Sequence, residues 1–446
     1  MDTLLAQRDA LGRGEVSSAE LTARALARAH AEQPRLDAFV SIDDAAATAA
    51  AREADRRRAA GDSGDLLGVP IVVKDDLDVA GRVTGWGGSA FTRPAPADSP
   101  MADALARAGA VVIGRTTLPE LAACGFTESV AHGATRNPHA LAHTPGGSSG
   151  GTAAAVAAGV VAAGTASDGA GSIRIPAACC GLPGFKPTTG TMPSPAAGGG
   201  EGWHGLATQG CLTRTVAEAA CFLDAVGTFP TPLLPATNAE PAPLRIGVDV
   251  TPFPMAPPLA LDPHVGGAVR RVADLLADLG HHVRPVRVRP GLAALAANAR
   301  FLRSLADSAA AADEPSRLER RSAGMARVGS LVPAALLGPA RAQGARWGAR
   351  VLADAGVDVL LTPTMRGTAP EVGRWAGQGG LATLLSMGRF YAHTPAWNHT
   401  GQPAVSLPAG TAGGLPLAVQ LVAGRGEDAR LVALAATVER ALASRP

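Results

Sequence analysis

The stretch from His143 to Gly190 reads HTPGGSSGGTAAAVAAGVVAAGTASDGAGSIRIPAACCGLPGFKPTTG and is the most informative part of the chain. Two glycine-rich clusters, 146–151 and 169–172, each contain serine and flank a run of small apolar residues. Glycine allows backbone geometry that a Cβ would forbid, and loops of this kind point backbone N–H groups inward. The stretch therefore predicts two tight loops, each presenting a serine, with a buried helix of small residues between them.

The segments around this stretch alternate as they do in an α/β protein. Short apolar strands such as GVPIVV and AVVIGR alternate with alanine-rich helices, and strand patterns return later as VDVLLTPT, AVSLPAG and LPLAVQLVAG. Such alternation is typical of a sheet covered by helices, with function in the loops. We expect one α/β domain with a central, twisted, mixed and mostly parallel sheet of about ten strands and helices on both faces.

The chain is expected to have two parts. The first is an N-terminal helical region, residues 1–65, packed on the core; its helical pattern opens with Ser17 and Glu20 spaced as a capping box. The second is the main domain, residues 66–446. Within it we expect a variable, mostly helical insert around 230–355, because its start is rich in proline.

Composition excludes several classes of protein. The net charge is only +2 over 446 residues, which is too weak for a nucleic-acid partner. The longest run of low polarity, residues 152–166, is shorter than the roughly 20 residues that cross a membrane, so it predicts a buried core helix. No apolar signal segment is visible, and the five cysteines lack scaffold spacing. We therefore expect a cytoplasmic protein with reduced thiols and no membrane partner.

Lysine is almost absent from the sequence. Only Lys74 and Lys186 occur among 40 basic residues, so arginine is used wherever a plain positive charge suffices. A guanidinium stays charged, whereas a buried ammonium can lose its proton. Lys74 ends the apolar run GVPIVVK, which predicts a buried strand. Lys74 is therefore a candidate proton acceptor, although a chance lysine at a strand end would give the same pattern.

These motifs together resemble the amidase signature enzymes. That family carries GGSSGG, a later D-x-G-G-S-I-R-x-P-A, and an upstream lysine in V-K-D-x-x-D-x-x-G. The three motifs here contain Ser148, Ser172 and Lys74, and the two serines are 24 residues apart. The likeness continues through GRTTLPELAACGFT, GFKPTTG and PAWNHTGQPAVSLPAG, and it covers nearly the whole chain except about 230–355.

The resemblance implies a catalytic triad. Ser172 would be the nucleophile that forms an acyl-enzyme, and Lys74 would be the base, kept neutral by burial. Ser148 would relay the proton between them, held by a cis Gly147–Ser148 peptide bond. The implied reaction is hydrolysis of a C–N bond, and no metal or organic cofactor is expected.

The resemblance also implies an oxyanion hole and its support. The hole would consist of backbone N–H groups that stabilise the charged oxygen of the tetrahedral intermediate. Asp168 and Arg174 would brace this loop as an ion pair, and Ser149 would support it as a hydrogen-bonding residue. The N–H donors would belong to Gly169, Ala170, Gly171 and Ser172.

Three positions depart from the family pattern. Ala170 and Asp76 stand where glycine and asparagine are frequent, and Ser129 also replaces a frequent asparagine. None removes a catalytic group. We expect Asp76 and Ser129 to adjust the acyl pocket or its hydrogen bonds.

Other interpretations of single residues compete with this one. Ser149 lies at the centre of GSSGG, which matches the nucleophile elbow of α/β-hydrolases, but that elbow needs a preceding strand. His139 and His143 are four residues apart, a metal-ligand spacing only on a helix, and prolines bracket them. We expect Lys186, in GFKPTTG, to be structural.

The expected substrates are small, hydrophobic or aryl amides. Carbamates and esters are reachable by the same chemistry, and so is glutamine, if the chain is the glutamine-hydrolysing component of an aminoacyl-tRNA amidotransferase. A catalytically dead scaffold would not need all three triad residues. A monomer or a homodimer is expected.

The substrate pocket is expected to form from three segments. These are the loop in the 120s, residues 291–355, which could act as a lid, and the segment GRFYAHTPAWNHTG. The residues expected to line it are Phe126, Thr127, Phe390, Tyr391, Trp397 and Asn398.

Overall fold

A computed structural model describes residues 3–200, 202–254 and 260–444. The strands in this part of the chain are β1 Phe39–Ile42, β2 Pro70–Lys74, β3 Val111–Thr116, β4 Glu128–Ser129, β5 Gly133–Ala134, β6 Ala163–Asp168, β7 Gly184–Lys186, β8 Thr208–Thr213, β9 Arg245–Val248, β10 His282–Pro285, β11 Val359–Pro363, β12 Ala404–Ala412 and β13 Leu415–Val422.

The α-helices are α1 Leu4–Gly12, α2 Ser18–Leu36, α3 Asp44–Ala59, α4 Pro100–Ala108, α5 Gly150–Ala157, α6 Arg174–Cys180, α7 Val216–Val226, α8 Leu233–Ala236, α9 Pro263–Asp278, α10 Ala293–Ala310, α11 Arg320–Ser330, α12 Leu337–Gly348, α13 Val351–Ala355, α14 Gly380–Phe390, α15 Pro395–Thr400 and α16 Asp428–Ala443.

Two sheets form the centre of the molecule. One has five strands in the order β1-β3-β2-β6-β8, and the other has six in the order β10-β9-β11-β13-β12-β7. Strands β7 and β8 lie side by side, since a Cβ at Gly210 would lie 3.3 Å from the carbonyl oxygen of Phe185. The two sheets therefore meet at these edges, and the predicted mixed α/β architecture is confirmed.

The expectation that parallel pairs dominate is wrong. In these two sheets the parallel pairs are β2–β3, β2–β6, β9–β10 and β9–β11. Five other pairs are antiparallel. The hairpin β12–β13 accounts for part of the difference, because its tight Gly413–Gly414 connection can only join antiparallel strands.

The helix of small residues is shorter than the sequence predicts. α5 ends at Ala157, and β6 begins at Ala163, so the apolar run 152–166 contains a helix, a turn and a strand. Small residues are needed here because the packing is close: a Cβ at Gly151 would lie 2.5 Å from the backbone nitrogen of Thr117. The described residues contain no helix that is both long and apolar enough to span a membrane.

The N-terminal region contributes to the sheet as well as packing beside it. The capping box at Ser17 and Glu20 is present at the start of α2. The strand β1, which the helical pattern did not predict, pairs antiparallel with β3. Residues 291–355 form helices α10 to α13 with short connections. The division of the chain at residue 65 stays a prediction, and residues 255–259 of the expected insert lie outside the described part.

Candidate active site

Lys74 lies at the end of β2 and is fully buried. Its Nζ is 2.8 Å from Ser148 Oγ and 2.7 Å from Ser167 Oγ. The carboxylate of Asp76 is also close, with Oδ2 3.3 Å from Nζ. Ser167 Oγ in turn donates a hydrogen bond of 2.6 Å to Asp76 Oδ2. Strand β2 therefore brings the lysine into a closed cluster of two hydroxyls and one carboxylate.

Two opposing effects set the charge of Lys74. Burial is the larger one and lowers the pKa of the ammonium, because a charge is costly away from water. The charge of Asp76 and its hydrogen bond act in the opposite direction, and Asp168 adds a weaker attraction. The net result is a pKa below the ordinary value for lysine, which makes the neutral amine easier to reach.

The loop that carries Ser148 is tightly enclosed. The Gly147–Ser148 peptide bond is cis, as the resemblance implies. A Cβ at Gly147 would lie 2.7 Å from the backbone nitrogen of Phe126, so only glycine fits there. Thr127 Oγ1 donates to the carbonyl oxygen of Gly146 at 2.8 Å and fixes the loop from the other side.

Ser149 supports the loop next to it. Its Oγ donates to the Ser167 carbonyl oxygen and accepts from the Ser167 N–H, both at 3.3 Å. Its own N–H donates to the carbonyl oxygen of Ser172, also at 3.3 Å, which ties the two serine loops together. Residues 141–149 form turns and loop with no strand leading into Ser149, so the context that a nucleophile elbow needs is missing.

The second loop is braced by a buried ion pair. Arg174 donates from Nε to Asp168 Oδ2 at 2.9 Å and from Nη2 to Oδ1 at 3.0 Å, and both side chains are fully buried. Burial alone would raise the pKa of Asp168, but the charge and hydrogen bonds of Arg174 outweigh it and hold the pKa at about 2. Gln420 and Asn398 accept from the remaining guanidinium N–H groups, each at 2.6 Å. The pair is therefore ionised, and its guanidinium is well supplied with acceptors.

One of the four expected oxyanion donors has another partner. The N–H of Gly171 donates to Asp168 Oδ1 at 2.6 Å. Gly171 also has a φ of 129°, a conformation that requires glycine. The N–H groups of Gly169, Ala170 and Ser172 make no hydrogen bond to a protein acceptor within the described ranges. Gly171 therefore shapes the loop, and the other three donors are free for an oxyanion.

A cavity of about 250 Å³ opens beside Ser172. It is enclosed by the loop 122–125, by Trp203 and Tyr391, and by side chains of α10, α11 and α14. Among the described residues, no charged side chain lines it. Leu381 and Leu385 lie at its wall and are 56% and 45% exposed, so they mark its opening to solvent. The cavity suits an uncharged, largely apolar group.

The three segments expected to build the pocket do contribute to it, but only one of the six residues expected there does. Tyr391 lines the cavity, with its ring against Gly125. Phe126 is fully buried behind the wall, where it stacks on Trp375 at 4.4 Å between ring centroids. Phe390 packs edge-on against the same tryptophan.

The remaining three expected residues are engaged elsewhere. Thr127 bonds the Gly146 carbonyl, as described above. Asn398 is held by the Asp168–Arg174 pair. Trp397 stacks on Trp347 on a different wall of the molecule. These residues fill the layer behind the cavity because a continuous apolar core needs its largest side chains. Of the departures from the family pattern, Asp76 contacts Lys74, whereas Ser129 lies in β4 away from the cavity wall.

Sequence reasoning missed two parts of the cavity. Trp203 lies in the glycine-rich segment GGGEGWHG, and a lone tryptophan in such a loop is a usable signal. Leu381, Leu384 and Leu385 recur at helical spacing on one face of α14, which indicates an apolar face but not what covers it.

Comparisons with known proteins agree with this site. A family model for amidases matches residues 20–330 and 340–432. AmiB2 of Mycobacterium tuberculosis, whose name assigns it to the amidases, is 40% identical over 98% of this chain and 95% of its own length. The GatA-type chain of glutamyl-tRNA(Gln) amidotransferase from a Synechococcus species is 35% identical over 100% of this chain and 98% of its own. The solved structure of a 6-aminohexanoate cyclic dimer hydrolase with its substrate is similar with a TM-score of 0.84 and 29% identity, covering 100% of this chain and 98% of that one.

Proposed function

The chain belongs to the amidase signature family of C–N hydrolases, and on that premise we propose that it cleaves small, uncharged, hydrophobic or aryl amides through an acyl-enzyme on Ser172. The observation that carries the proposal is the contact of 2.8 Å between Lys74 Nζ and Ser148 Oγ, next to a cavity that Ser172 lines. A buried lysine bonded to a hydroxyl has the arrangement of a base with a proton relay.

The proposed reaction has two halves. Ser172 Oγ attacks the amide carbonyl while its proton passes to Ser148 Oγ and the Ser148 proton passes to Lys74 Nζ. The tetrahedral intermediate collapses when the proton returns along the same route to the amide nitrogen, which leaves as an amine. Water then attacks the acyl-enzyme in the same way and releases the carboxylic acid and Ser172.

The hydrogen bonds around Lys74 suit a neutral amine. Its two N–H groups would donate to Ser167 Oγ and Asp76 Oδ2, and its lone pair would accept the Ser148 O–H. The lowered pKa supports this state. Ser167, with its own proton on Asp76, is thereby prevented from competing with Ser148 as the donor to Lys74.

The oxyanion would be stabilised by the N–H groups of Gly169, Ala170 and Ser172. The loss of one such donor typically costs about 10² to 10³ in rate. Asp168 and Gly171 would have a supporting role, because their hydrogen bond shapes the loop that aims those donors.

The cavity favours an amidase over the alternative of a glutamine-hydrolysing amidotransferase component. Bound glutamine presents an ammonium and a carboxylate, and burying either without a charged partner is costly. The residues lining this cavity offer no such partner. The sequence similarity to an amidotransferase chain keeps glutamine as an outcome to test. Carbamates and esters meet the same groups and remain alternative substrates for the same triad.

The setting of the enzyme is part of the proposal. The five cysteines are all free and buried, which fits a reducing cytoplasm. A monomer or a homodimer is proposed, and no cofactor takes part in the steps above.

The test is release of 4-nitroaniline from a small N-acyl-4-nitroanilide and from a matching carbamate. We expect turnover by the wild type and loss to background in Ser172→Ala. The matched control is Ser330→Ala, an exposed serine at the end of α11, which should be fully active. Turnover that survives Ser172→Ala would exclude this serine as the nucleophile. Ammonia release from glutamine with no anilide turnover would favour the amidotransferase role.

A further inference from the structure

A short turn beside the oxyanion loop has an unusual backbone. Trp203 and His204, within the 3-10 turn Gly202–Gly205, both have a φ of 52°. Two consecutive non-glycine residues in the left-handed region are uncommon, because each Cβ crowds its own carbonyl. Such conformations persist only where the surrounding structure enforces them, and they are concentrated at functional sites.

Helix α10 supplies the contacts that enforce this turn. His204 Nε2 lies 2.8 Å from Asp307 Oδ2, and Arg300 Nη2 donates to the carbonyl oxygen of His204 at 2.9 Å. Arg303, one turn before Asp307, donates to its other carboxylate oxygen at 2.8 Å. The turn is therefore anchored through both its side chain and its backbone to one helix.

The anchored turn sets Trp203 against the reactive loop. A Cβ at Gly169 would lie 2.9 Å from Trp203 Cε3, so the indole rests directly on the first residue of the oxyanion loop. Phe301 of α10 packs edge-on against the indole, with 5.6 Å between the ring centroids and 74° between the planes. Trp203 and Ser172 line the same cavity. The indole is thus a rigid, flat wall next to the place where a carbonyl would react.

We propose that Trp203 is a specificity-determining residue that stacks on a planar, uncharged group bonded to the reacting amide. The inference deepens and rests on the proposed amidase function: it assigns aromatic amides, rather than saturated ones of equal size, as the preferred substrates. Arg300 and Asp307 are positioning residues, because they act on the substrate only by holding the turn that carries Trp203.

The physical basis is the geometry of aromatic contacts. An aryl group gains from stacking or edge contact with an indole beyond the area that it buries, whereas a saturated ring of the same size gains the area alone. The cavity wall offers no charged group that could select substrates in another way. Because Phe301 and Gly169 fix the indole on two sides, little side-chain freedom remains to be lost when a substrate binds.

The test compares ratios of kcat/KM for matched substrate pairs. One pair varies the acyl group, benzoyl against cyclohexanecarbonyl, on 4-nitroaniline; the other varies the amine, aniline against cyclohexylamine, on one acyl group. We expect Trp203→Ala to lower the aryl-to-saturated ratio by about threefold to tenfold in at least one pair. Trp203→Phe keeps an aromatic wall and should retain most of the ratio.

The positioning residues are tested with the same ratio. Asp307→Ala should lower it in the same direction as Trp203→Ala, with protein that remains folded by circular dichroism. The matched control is Asp354→Ala, which removes a carboxylate from an exposed ion pair on α13 and should leave the ratio unchanged. His204→Gly should keep the ratio closer to wild type than His204→Ala, because glycine adopts a positive φ freely.

The outcomes separate this inference from the proposed function. An active wild type whose ratio is the same in Trp203→Ala, for both pairs, would overturn the role of Trp203 and leave the amidase function intact. A wild type that hydrolyses none of the four amides would overturn the proposed function, and the assignment of aromatic amides with it.

Discussion

The two lysines occupy regions that are alike in burial and different in neighbours. Lys74 ends β2 and Lys186 ends β7, and both side chains are fully buried. Burial lowers the pKa of both, to about 7 for Lys186, where Arg174 adds repulsion. Lys74 faces the hydroxyls of Ser148 and Ser167, whereas Lys186 Nζ donates to the carbonyl oxygen of Pro187 at 2.8 Å.

The difference shows that a lowered pKa does not by itself make a catalytic base. A proton acceptor also needs a donor that can reach the substrate, and a backbone carbonyl has no proton to give. Lys74 has such a donor in Ser148, and Lys186 is bonded to a group that only accepts. We therefore assign proton transfer to the region around Lys74 and a structural role to that around Lys186.

The largest expected effect is on activity. Lys74→Met should lower kcat/KM for an anilide by about 10² to 10⁴, because a general base contributes roughly that factor. Lys186→Met is the matched variant, an equally buried lysine, and should leave kcat/KM of the folded protein within about threefold. Both are measured by 4-nitroaniline release on protein checked by circular dichroism. Equal losses in the two variants would remove the distinction between the lysines.

The next prediction concerns pH and the stability of the Lys186 region. Its folded pKa of about 7 is below the ordinary 10.5, so the unfolded chain binds more protons between these values. The free energy of unfolding should therefore gain a contribution that grows as pH rises from about 7 to 10.5, at most roughly 5 kcal/mol. Urea unfolding of wild type and Lys186→Met across this range checks it. The same pH dependence in both proteins would mean that Lys186 is not the source.

Asp168 lies between the two regions and attracts both lysines. Asp168→Ala leaves Arg174 buried without its counter-charge, which should cost about 3–5 kcal/mol of unfolding free energy. Glu53→Ala, which removes an exposed pair with Arg56, is the control and should change it by less than about 1 kcal/mol. Chemical unfolding measures both, and a small loss in Asp168→Ala would contradict a bracing role.

The same carboxylate predicts an acid limb of stability. The folded pKa of Asp168, about 2, is below its ordinary value of 3.8. Its contribution is therefore complete above the ordinary value and is lost as pH falls towards 2. Asp168→Asn should lack this part of the wild-type acid dependence, as measured by urea unfolding at successive pH values.

The smallest expected effect sharpens the role of Asp76. Its charge raises the pKa of Lys74 against the lowering by burial, so Asp76→Asn should lower that pKa. The rise of kcat/KM with pH should then move to lower pH, by about one unit. A pH–rate profile for an anilide measures the shift. A shift to higher pH would mean that the carboxylate does not stabilise the ammonium.

Sequence patterns predicted the parts of the site that depend on short motifs. The cis Gly147–Ser148 peptide bond, the Asp168–Arg174 pair and the contact between Lys74 and Ser148 are all present in the structure. Each is determined by glycine-rich loops that have few alternative conformations, or by charges six residues or fewer apart. The cavity wall could not be predicted in this way. Trp203 reaches it only because α10, about 100 residues later in the chain, holds its turn.

The sequence by itself determined the α/β class, the resemblance to amidase signature enzymes and the three residues proposed for the triad. Only the tertiary structure decided that Asp76 and Ser167 surround Lys74, and that Gly171 donates to Asp168 while its neighbours stay free. It also decided that Phe126 and Trp397 lie behind the cavity wall, with Trp203 in it. The physical reason is that motifs act over a few residues, whereas burial, charge state and cavity shape depend on packing between distant segments.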